Sequence, residues 1–112
     1  MLDRLAGTLE RYMDALSARQ KVVASNIANT DTPGYKTKDV YFQSAFDAAI
    51  RGWHPQPVEV AGLRVKSDGN NVNMDREARL LAENDMRFNL ASNLLRSQIQ
   101  AIRAALQAGS ST

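Results

Sequence analysis

The sequence predicts a mainly α fold: two long terminal amphipathic helices form a coiled-coil-like pair, and a short, turn-rich middle contains a small β-hairpin. Apolar residues recur every three or four positions at both ends of the 112-residue chain. A Pro-Gly pair follows the first of these segments, and most of the other glycines and prolines lie between the two. We therefore expect a helix at residues 1–29, a middle segment at 30–72, a helix at 73–108 and a flexible tail at 109–112.

The N-terminal segment has the periodicity of one uninterrupted amphipathic helix. Its charged residues, Arg19 among them, are expected on the solvent-facing side. The helix should end where Asn29 to Thr32 compete for backbone hydrogen bonds and Pro33 prevents continuation. Its apolar stripe, which we expect to pack in an assembly, comprises Leu2, Leu5, Leu9, Leu16, Val23 and Ile27.

A tight turn is predicted directly after this helix, at Thr32-Pro33-Gly34-Tyr35. Proline presets the first central φ of a type II turn, and glycine accepts the positive φ at the second. On local chemistry alone, the plainest interpretation of this segment is an ordinary loop corner.

The middle segment is predicted to hold one short helix and one hairpin. Residues 39–51 place Phe42, Phe46 and Ile50 on one helical side, and Gly52 should end that helix. A proline-stiffened loop follows from Trp53-His54. Residues 58–60 and 63–65 alternate apolar and polar side chains around Ala61-Gly62, which predicts a small β-hairpin.

The second long helix is expected to start between residues 73 and 75, where Asn73 or Asp75 could cap it. Asn84 and Gln98 lie on or beside its apolar stripe. Polar residues in such a seam commonly set register and partner number. Its predicted packing residues are Leu81, Phe88, Leu95, Ile99, Ile102 and Leu106.

The composition argues against catalysis, metal binding and nucleic-acid binding. The chain has no cysteine and a single histidine, His54, so neither a zinc site nor a catalytic triad is indicated, and no cofactor is expected. The net charge is +2 with no run of like charges, unlike a nucleic-acid groove. No segment approaches the length of a membrane span, and the N-terminal sequence lacks the apolar core of a cleaved leader.

Both apolar stripes are narrow relative to the length of the helices. An isolated pair of helices is marginally stable because packing supplies most helical stability. Further copies or neighbouring subunits would complete the packing, whereas a monomeric helical hairpin with a small β cap is the alternative that periodicity leaves open. We expect the free subunit to be partly disordered, with terminal helices that order on assembly.

Two segments resemble known motifs. Ser25–Asn29 followed by Thr32–Tyr35 resembles the signature of bacterial flagellar rod and hook proteins, and Asp68–Glu77 is similar to a motif of the proximal-rod subfamily. The first motif contributes Asn26, Asn29, Thr32, Pro33, Gly34 and Tyr35. The second contributes Asp68, Gly69, Asn70, Val72, Met74, Asp75 and Glu77.

The resemblance implies a structural, non-enzymatic subunit of the flagellar basal-body rod that serves motility. It implies export through the flagellar type III apparatus without a cleaved leader, and helical polymerisation in the periplasm through the terminal helices. The implied partners are copies of itself, other rod proteins, the adaptor FliE and the MS-ring and export-gate region. The first motif would then set the angle at which the chain leaves the inner helix.

Three alternatives stay open at the level of sequence. Another axial rod subunit of the FlgC type belongs to the same class and would differ in its neighbours. A soluble helical adaptor would form a fixed stoichiometric complex without polymerising. A nucleic-acid-binding hairpin would show steeply salt-dependent binding to unrelated DNA.

Overall fold

The computed structural model describes residues 2–52 and 56–110. It contains two long helices, one short helix and a two-stranded antiparallel sheet, in an elongated body of 72 × 25 × 18 Å. The mainly helical fold, with a long helix at each end and a small antiparallel sheet in the middle, is confirmed. In chain order the elements are α1 (Leu2–Ala28), β1 (Lys38–Asp39), α2 (Phe42–Ile50), β2 (Val58–Glu59) and α3 (Met74–Ser110).

The two long helices run antiparallel and contact each other along α1. Asn26 near the end of α1 meets Glu77 near the start of α3, and Leu16 in the middle of α1 meets Asn84. The 37 residues of α3 extend past α1, and residues 103–109 are all exposed. Helix α3 continues beyond residue 108, where the tail was expected to begin, to Ser110.

A small aromatic cluster fixes α2 against α1. The ring of Tyr12 meets Phe42 edge-on with centroids 5.1 Å apart, and Phe46 stacks on Phe42 at 6.1 Å. Beneath them lie the buried side chains of Ala15 and Val40. Gly52, with φ of 76°, follows the end of α2 as expected.

The prediction of a hairpin between residues 58–60 and 63–65 is wrong. Val58 pairs instead with Asp39, and Glu59 with Lys38, while residues 63–65 form no strand. The reason is that the Asn26 side chain holds the Lys38 peptide through both its N–H and its C=O, so this segment lies extended with one edge open for pairing. Alternation alone could not identify that distant partner.

Two features of the predicted helix faces are also corrected. Leu80 is buried, at 7% exposed, whereas the predicted Leu81 is 37% exposed. The packed face of α3 includes the buried polar residues Glu77 and Asn84, so a stripe traced from apolar residues alone is shifted by one position. Arg19 lies on the packed side of α1, not the solvent side, with its side chain only 13% exposed.

Some expectations lie outside the described residues. These are the Trp53-His54 loop, the side chain of Leu2, and the last two residues of the predicted tail. Across the rest of the chain, no helix is both long and apolar enough to cross a membrane.

Candidate functional site

The turn predicted at residues 32–35 is present. Gly34 has φ of 76°, as the second central residue of a type II turn requires, and the Tyr35 N–H donates to the Thr32 carbonyl at 3.2 Å. No atom lies within 4 Å of where a Gly34 Cβ would stand. Glycine is therefore favoured here by backbone conformation and not by lack of space.

The second motif folds directly onto this turn. The Gly34 N–H donates to the Asp68 carbonyl at 2.9 Å, and the Asn71 N–H donates to the Tyr35 carbonyl at 3.2 Å. Gly69 has φ of 85°, and a Cβ there would stand 3.3 Å from the Gly34 Cα. The two motifs, separated by more than thirty residues, thus form one structural unit, in which Gly69 is favoured by both conformation and close approach.

Asn70 ties the second motif to the chain leaving α1. Its side chain is fully buried, and its amide nitrogen donates to the carbonyls of Asn29 and Thr32, each at 2.8 Å. Its amide oxygen accepts from the Val72 N–H at 2.8 Å. These bonds satisfy backbone acceptors just beyond the helix end, where no intrahelical donor is available.

The end of α1 is also capped by its own motif residues. The Asn29 side chain donates to the Ser25 carbonyl at 2.8 Å and accepts from the Thr32 hydroxyl at 3.0 Å. The Thr30 hydroxyl donates to the Ile27 carbonyl at 2.7 Å. The last carbonyls of the helix are therefore bonded within the turn itself.

Asn26 is the centre of the site and has all its hydrogen-bonding capacity used. Its amide nitrogen donates to the Lys38 carbonyl at 2.7 Å and to Glu77 Oε2 at 3.2 Å. Its amide oxygen accepts from the Lys38 N–H at 3.1 Å and from the Tyr35 hydroxyl at 2.9 Å. One buried side chain thereby joins α1, the chain after the turn, and α3.

Four charged side chains surround Asn26 in a closed, electrically balanced network. Arg76 lies 2.8 Å from the Asp39 carboxylate and 2.7 Å from that of Glu77, while Arg19 approaches Asp39 at 3.2 Å. The two carboxylates are buried, at 2% and 0% exposed. Buried charges are stable only when they are paired and hydrogen-bonded, so loss of one partner would strongly destabilise the rest.

A third buried amide, Asn71, fixes the extended segment. Its side-chain oxygen accepts from the Thr37 N–H at 2.6 Å, and its carbonyl accepts from the Thr37 hydroxyl at 3.1 Å. We call the set bonded in this way the polar lock. It comprises Arg19, Asn26, Tyr35, Thr37, Asp39, Asn70, Asn71, Arg76 and Glu77.

The remaining residues of the second motif start α3. Asn73 caps the helix by accepting from the Arg76 N–H at 3.1 Å, which resolves the choice between Asn73 and Asp75. Asp75 lies in the first turn, Met74 is 44% exposed, and Val72 is buried. Glu77, in the same first turn, points into the polar lock.

The residues predicted to pack in an assembly differ in their solvent exposure in the single chain. Leu16 and Val23 are buried against the other elements. Half-buried positions are Leu9, Ile27, Leu95 and Ile102. Exposed positions are Leu5, Leu81, Phe88, Ile99 and Leu106.

Sequence reasoning missed several members of the lock, namely Arg19, Thr37, Asp39, Asn71 and Arg76. One signal was available: Arg19, Val23 and Asn26 are spaced four and three apart, so Arg19 shares a helical face with a buried valine. The pairing of Asp39 with arginines from two helices depends on tertiary structure and has no local pattern.

This arrangement is suited to holding chain segments in fixed relative positions. Its polar groups bond to one another, and within residues 2–52 and 56–110 no cluster of metal-ligating side chains occurs. What it controls is the relative position of α1, α3 and the segment between them.

Comparisons with known proteins agree with a structural role. A family model described as Flagella basal body rod protein matches residues 8–36, which include the first motif. The flagellar basal body rod protein FlgB of Salmonella typhimurium is 33% identical, over 97% of this chain and 99% of that protein. FlgB of Escherichia coli K12 is 30% identical with the same coverage, and FlgB of Borreliella burgdorferi is 27% identical over 87% of this chain and 91% of that protein.

The alignment also reveals a difference in length. It spans 137 positions with the Salmonella protein, against 112 residues in this chain. That relative therefore contains segments with no counterpart here.

Proposed function

The chain belongs to the flagellar basal-body rod protein family and is a structural subunit of that rod, and we propose that it joins its neighbours through the exposed flanks of α1 and α3. This family is a structural family and not an enzyme family. The resemblance of the chain to rod proteins, and to the FlgB type in particular, is confirmed. Membership also supports interaction with other rod and basal-body proteins.

The observation that carries the proposal is the width of the apolar surface on α3. The buried apolar face of α3 comprises Leu80 and Ala91 among the described residues. Large apolar side chains remain exposed on both sides of that face, including Phe88 at 40%, Leu90 at 61% and Leu106 at 68%. Contiguous exposed apolar surface on a long helix is typical of an interaction site, since burial contributes about 25 cal/mol per Å².

In this proposal the polar lock sets the shape of the subunit. The lock fixes how α3 lies against α1 and how the middle segment leaves the pair, so that both flanks are presented in a defined orientation. The proposed units would then have separate roles: the helices, at residues 1–29 and 73–108, provide packing surfaces, and the middle segment, at residues 30–72, sets the spacing between neighbours.

The proposal extends to location and partners. We place the subunit in the periplasmic part of the rod, after export through the flagellar type III apparatus. At the rod base it would contact the adaptor FliE and the MS-ring and export-gate region. The support for these finer statements is the resemblance of the motifs and the similarity of the chain to flagellar basal body rod proteins.

The experiment that tests the role in the rod is electron microscopy of basal bodies from a strain that lacks the gene. Rings without rod, hook or filament, restored by the gene, are the expected result. Complete rods in the deletion strain, in the absence of a second gene copy, would contradict the proposal and favour the soluble adaptor. If the chain instead occupies the position of a FlgC-type subunit, crosslinking in basal bodies should identify neighbours other than those proposed above.

The exposed flanks are tested in the same strain with one charged substitution and a matched control. Leu106→Glu places a charge on the apolar flank and should abolish rods while the free protein keeps its helical content. Asn89→Glu places the same charge at an exposed position outside that flank, and rods should form. Normal rods with Leu106→Glu would exclude this flank from assembly.

A further inference from the structure

Thr30, just beyond the end of α1, is in contact with the first residue of α3. Its hydroxyl oxygen lies 2.7 Å from the Ile27 carbonyl oxygen and 3.0 Å from the sulfur of Met74. Met74 begins α3, and its side chain is 44% exposed. A thioether that solvent can reach therefore touches the residue that caps α1.

The Thr30 hydroxyl carries a single proton and faces both of these acceptors. A thioether sulfur is a weak acceptor, so the proton is donated to the Ile27 carbonyl and the Met74 sulfur is a packing neighbour. This donation satisfies one of the last carbonyls of α1. The cap of the helix therefore depends on the weakness of the sulfur as a competing acceptor.

Oxidation of the sulfur would change this competition. Hydrogen peroxide transfers one oxygen atom to a methionine sulfur, which loses two electrons, and the peroxide O–O bond breaks to release water. The resulting sulfoxide is polar, unlike the thioether, and its oxygen accepts hydrogen bonds.

The geometry at Thr30 does not accommodate that oxygen. At 3.0 Å the Thr30 hydroxyl and the Met74 sulfur leave no room for an atom between them. The hydroxyl must either turn toward the new acceptor, which leaves the Ile27 carbonyl without its side-chain donor, or move away from Met74. Both responses loosen the contact between the end of α1 and the start of α3.

Other hydrogen bonds limit the damage at this junction. The Asn70 side chain holds the carbonyls of Asn29 and Thr32, on either side of Thr30, and Lys66 Nζ donates to the Thr30 carbonyl at 3.2 Å. None of these bonds involves Met74. Oxidation should therefore weaken the junction without unfolding the chain.

The other described methionines lack this combination of features. Met86 is 72% exposed but lies within α3, away from its ends, and Met13 is half-buried within α1. Among residues 2–52 and 56–110, only Met74 has its sulfur in contact with a hydroxyl that caps a helix.

We infer that Met74 is a redox-sensitive site, at which a peroxide-class oxidant loosens the junction between α1 and α3. A methionine sulfoxide reductase, with a dithiol as electron donor, would remove the oxygen as water and restore the junction. The effect is a property of the free chain, so it does not depend on the proposed function.

Peroxide treatment of the purified full-length chain tests this inference. Peptide mass spectrometry measures the sulfoxide at each methionine, and urea unfolding followed by circular dichroism measures the midpoint before and after treatment. Met74→Leu removes the sulfur with little change in volume. Met86→Leu is the matched control, because it removes a more exposed sulfur from the same helix.

In the wild-type chain and in Met86→Leu, oxidation of Met74 should lower the midpoint by about 0.5 M urea, the size expected for about one lost hydrogen bond. Amide hydrogen exchange at residues 28–32 should become faster in the same samples. Met74→Leu should keep its own midpoint through the treatment, and sulfoxide reductase should restore that of the wild type.

Three outcomes would overturn the inference. Met74 could stay reduced while Met86 is oxidised, the midpoint could stay unchanged with Met74 oxidised, or Met74→Leu could lose as much stability as the wild type. None of these results would contradict the proposed function, which the gene-deletion experiment tests separately.

Discussion

Asn26 is the residue at which the polar lock is most sensitive to a small chemical change. Replacing it with aspartate keeps the size and shape of the side chain but removes both N–H donors and adds a negative charge. The lost donors face the Lys38 carbonyl and the Glu77 carboxylate, the latter at 3.2 Å. The variant therefore places two carboxylates in contact in a buried site.

The expected loss of stability follows from these contacts. Each buried acceptor left without a donor costs about 1–3 kcal/mol. Repulsion between two unit charges about 4 Å apart adds up to about 4 kcal/mol at an effective dielectric constant of about 20. Allowing for relaxation and overlap between these contributions, we expect a loss of about 3–5 kcal/mol, a large share of the 5–15 kcal/mol that stabilises a typical domain.

Urea unfolding followed by circular dichroism measures this effect. With an m-value of about 2 kcal/mol/M, the midpoint of Asn26→Asp should fall by about 2 M. The same strain-complementation assay should show few or no rods. Asn89→Asp is the matched control: it makes the same substitution at an exposed site of α3, and its stability should change by less than about 0.5 kcal/mol.

A loss below about 1 kcal/mol for Asn26→Asp would refute the argument that this amide joins the three segments. An equal loss in the control would show that added charge, and not the lost hydrogen bonds, is responsible.

Three further predictions use paired measurements of unfolding free energy. Gly69→Ala should lose about 2–4 kcal/mol, because it combines a positive φ with a Cβ 3.3 Å from a backbone atom; an unchanged midpoint would exclude the close approach of the two turns. Asp39→Asn should lose about 3–5 kcal/mol, because it removes the buried carboxylate shared by Arg19 and Arg76 and leaves Arg76 with Glu77 alone. Glu83→Gln, in an exposed pair with Arg87, should change the stability by less than about 0.5 kcal/mol, and equal losses would contradict the buried network. Leu80→Ala should lose about 2–4 kcal/mol in the free chain and Leu81→Ala less than about 1 kcal/mol, and the reverse order would restore the stripe predicted from sequence.

The helices were predictable from sequence because their signals are local. Apolar spacing indicated both long helices, the Pro-Gly pair indicated the turn, and Asn73 was one of two proposed caps for α3. The pairing of β1 with β2 was not predictable, because strands of two residues have almost no periodicity and their partner was selected by a side chain of α1. The phase of the α3 stripe was missed because polar residues occupy part of the buried face.

The candidate site was predictable as two separate motifs but not as a single unit. Gly34 was identified as a turn residue and Gly69 as part of the second motif, yet nothing in the sequence indicates that a Cβ on Gly69 would meet the Gly34 backbone. Arg19 was assigned to solvent because charged residues are rarely buried without partners. Its partner Asp39 also pairs with Arg76 of α3, and the two arginines come together only after both helices have packed.

Two asparagines in the seam between α1 and α3 differ in how completely the fold satisfies their hydrogen bonds. Asn26 has both donors and both acceptor positions of its amide bonded within the chain, so its environment is complete before assembly. Asn84 is almost as deeply buried, but only its donors have partners in the described structure. A polar residue in a helical seam reduces stability and gains specificity when a particular geometry satisfies it. For Asn26 that geometry is the fold of the subunit, whereas the fold leaves the buried Asn84 oxygen without a donor among the described residues. Substituting Asn84 with leucine should therefore maintain or raise the free energy of unfolding of the free chain, whereas substituting Asn26 should lower it. A loss at Asn84 as large as that at Asn26 would show that the two bonds from its amide nitrogen to α1 outweigh the unpaired oxygen.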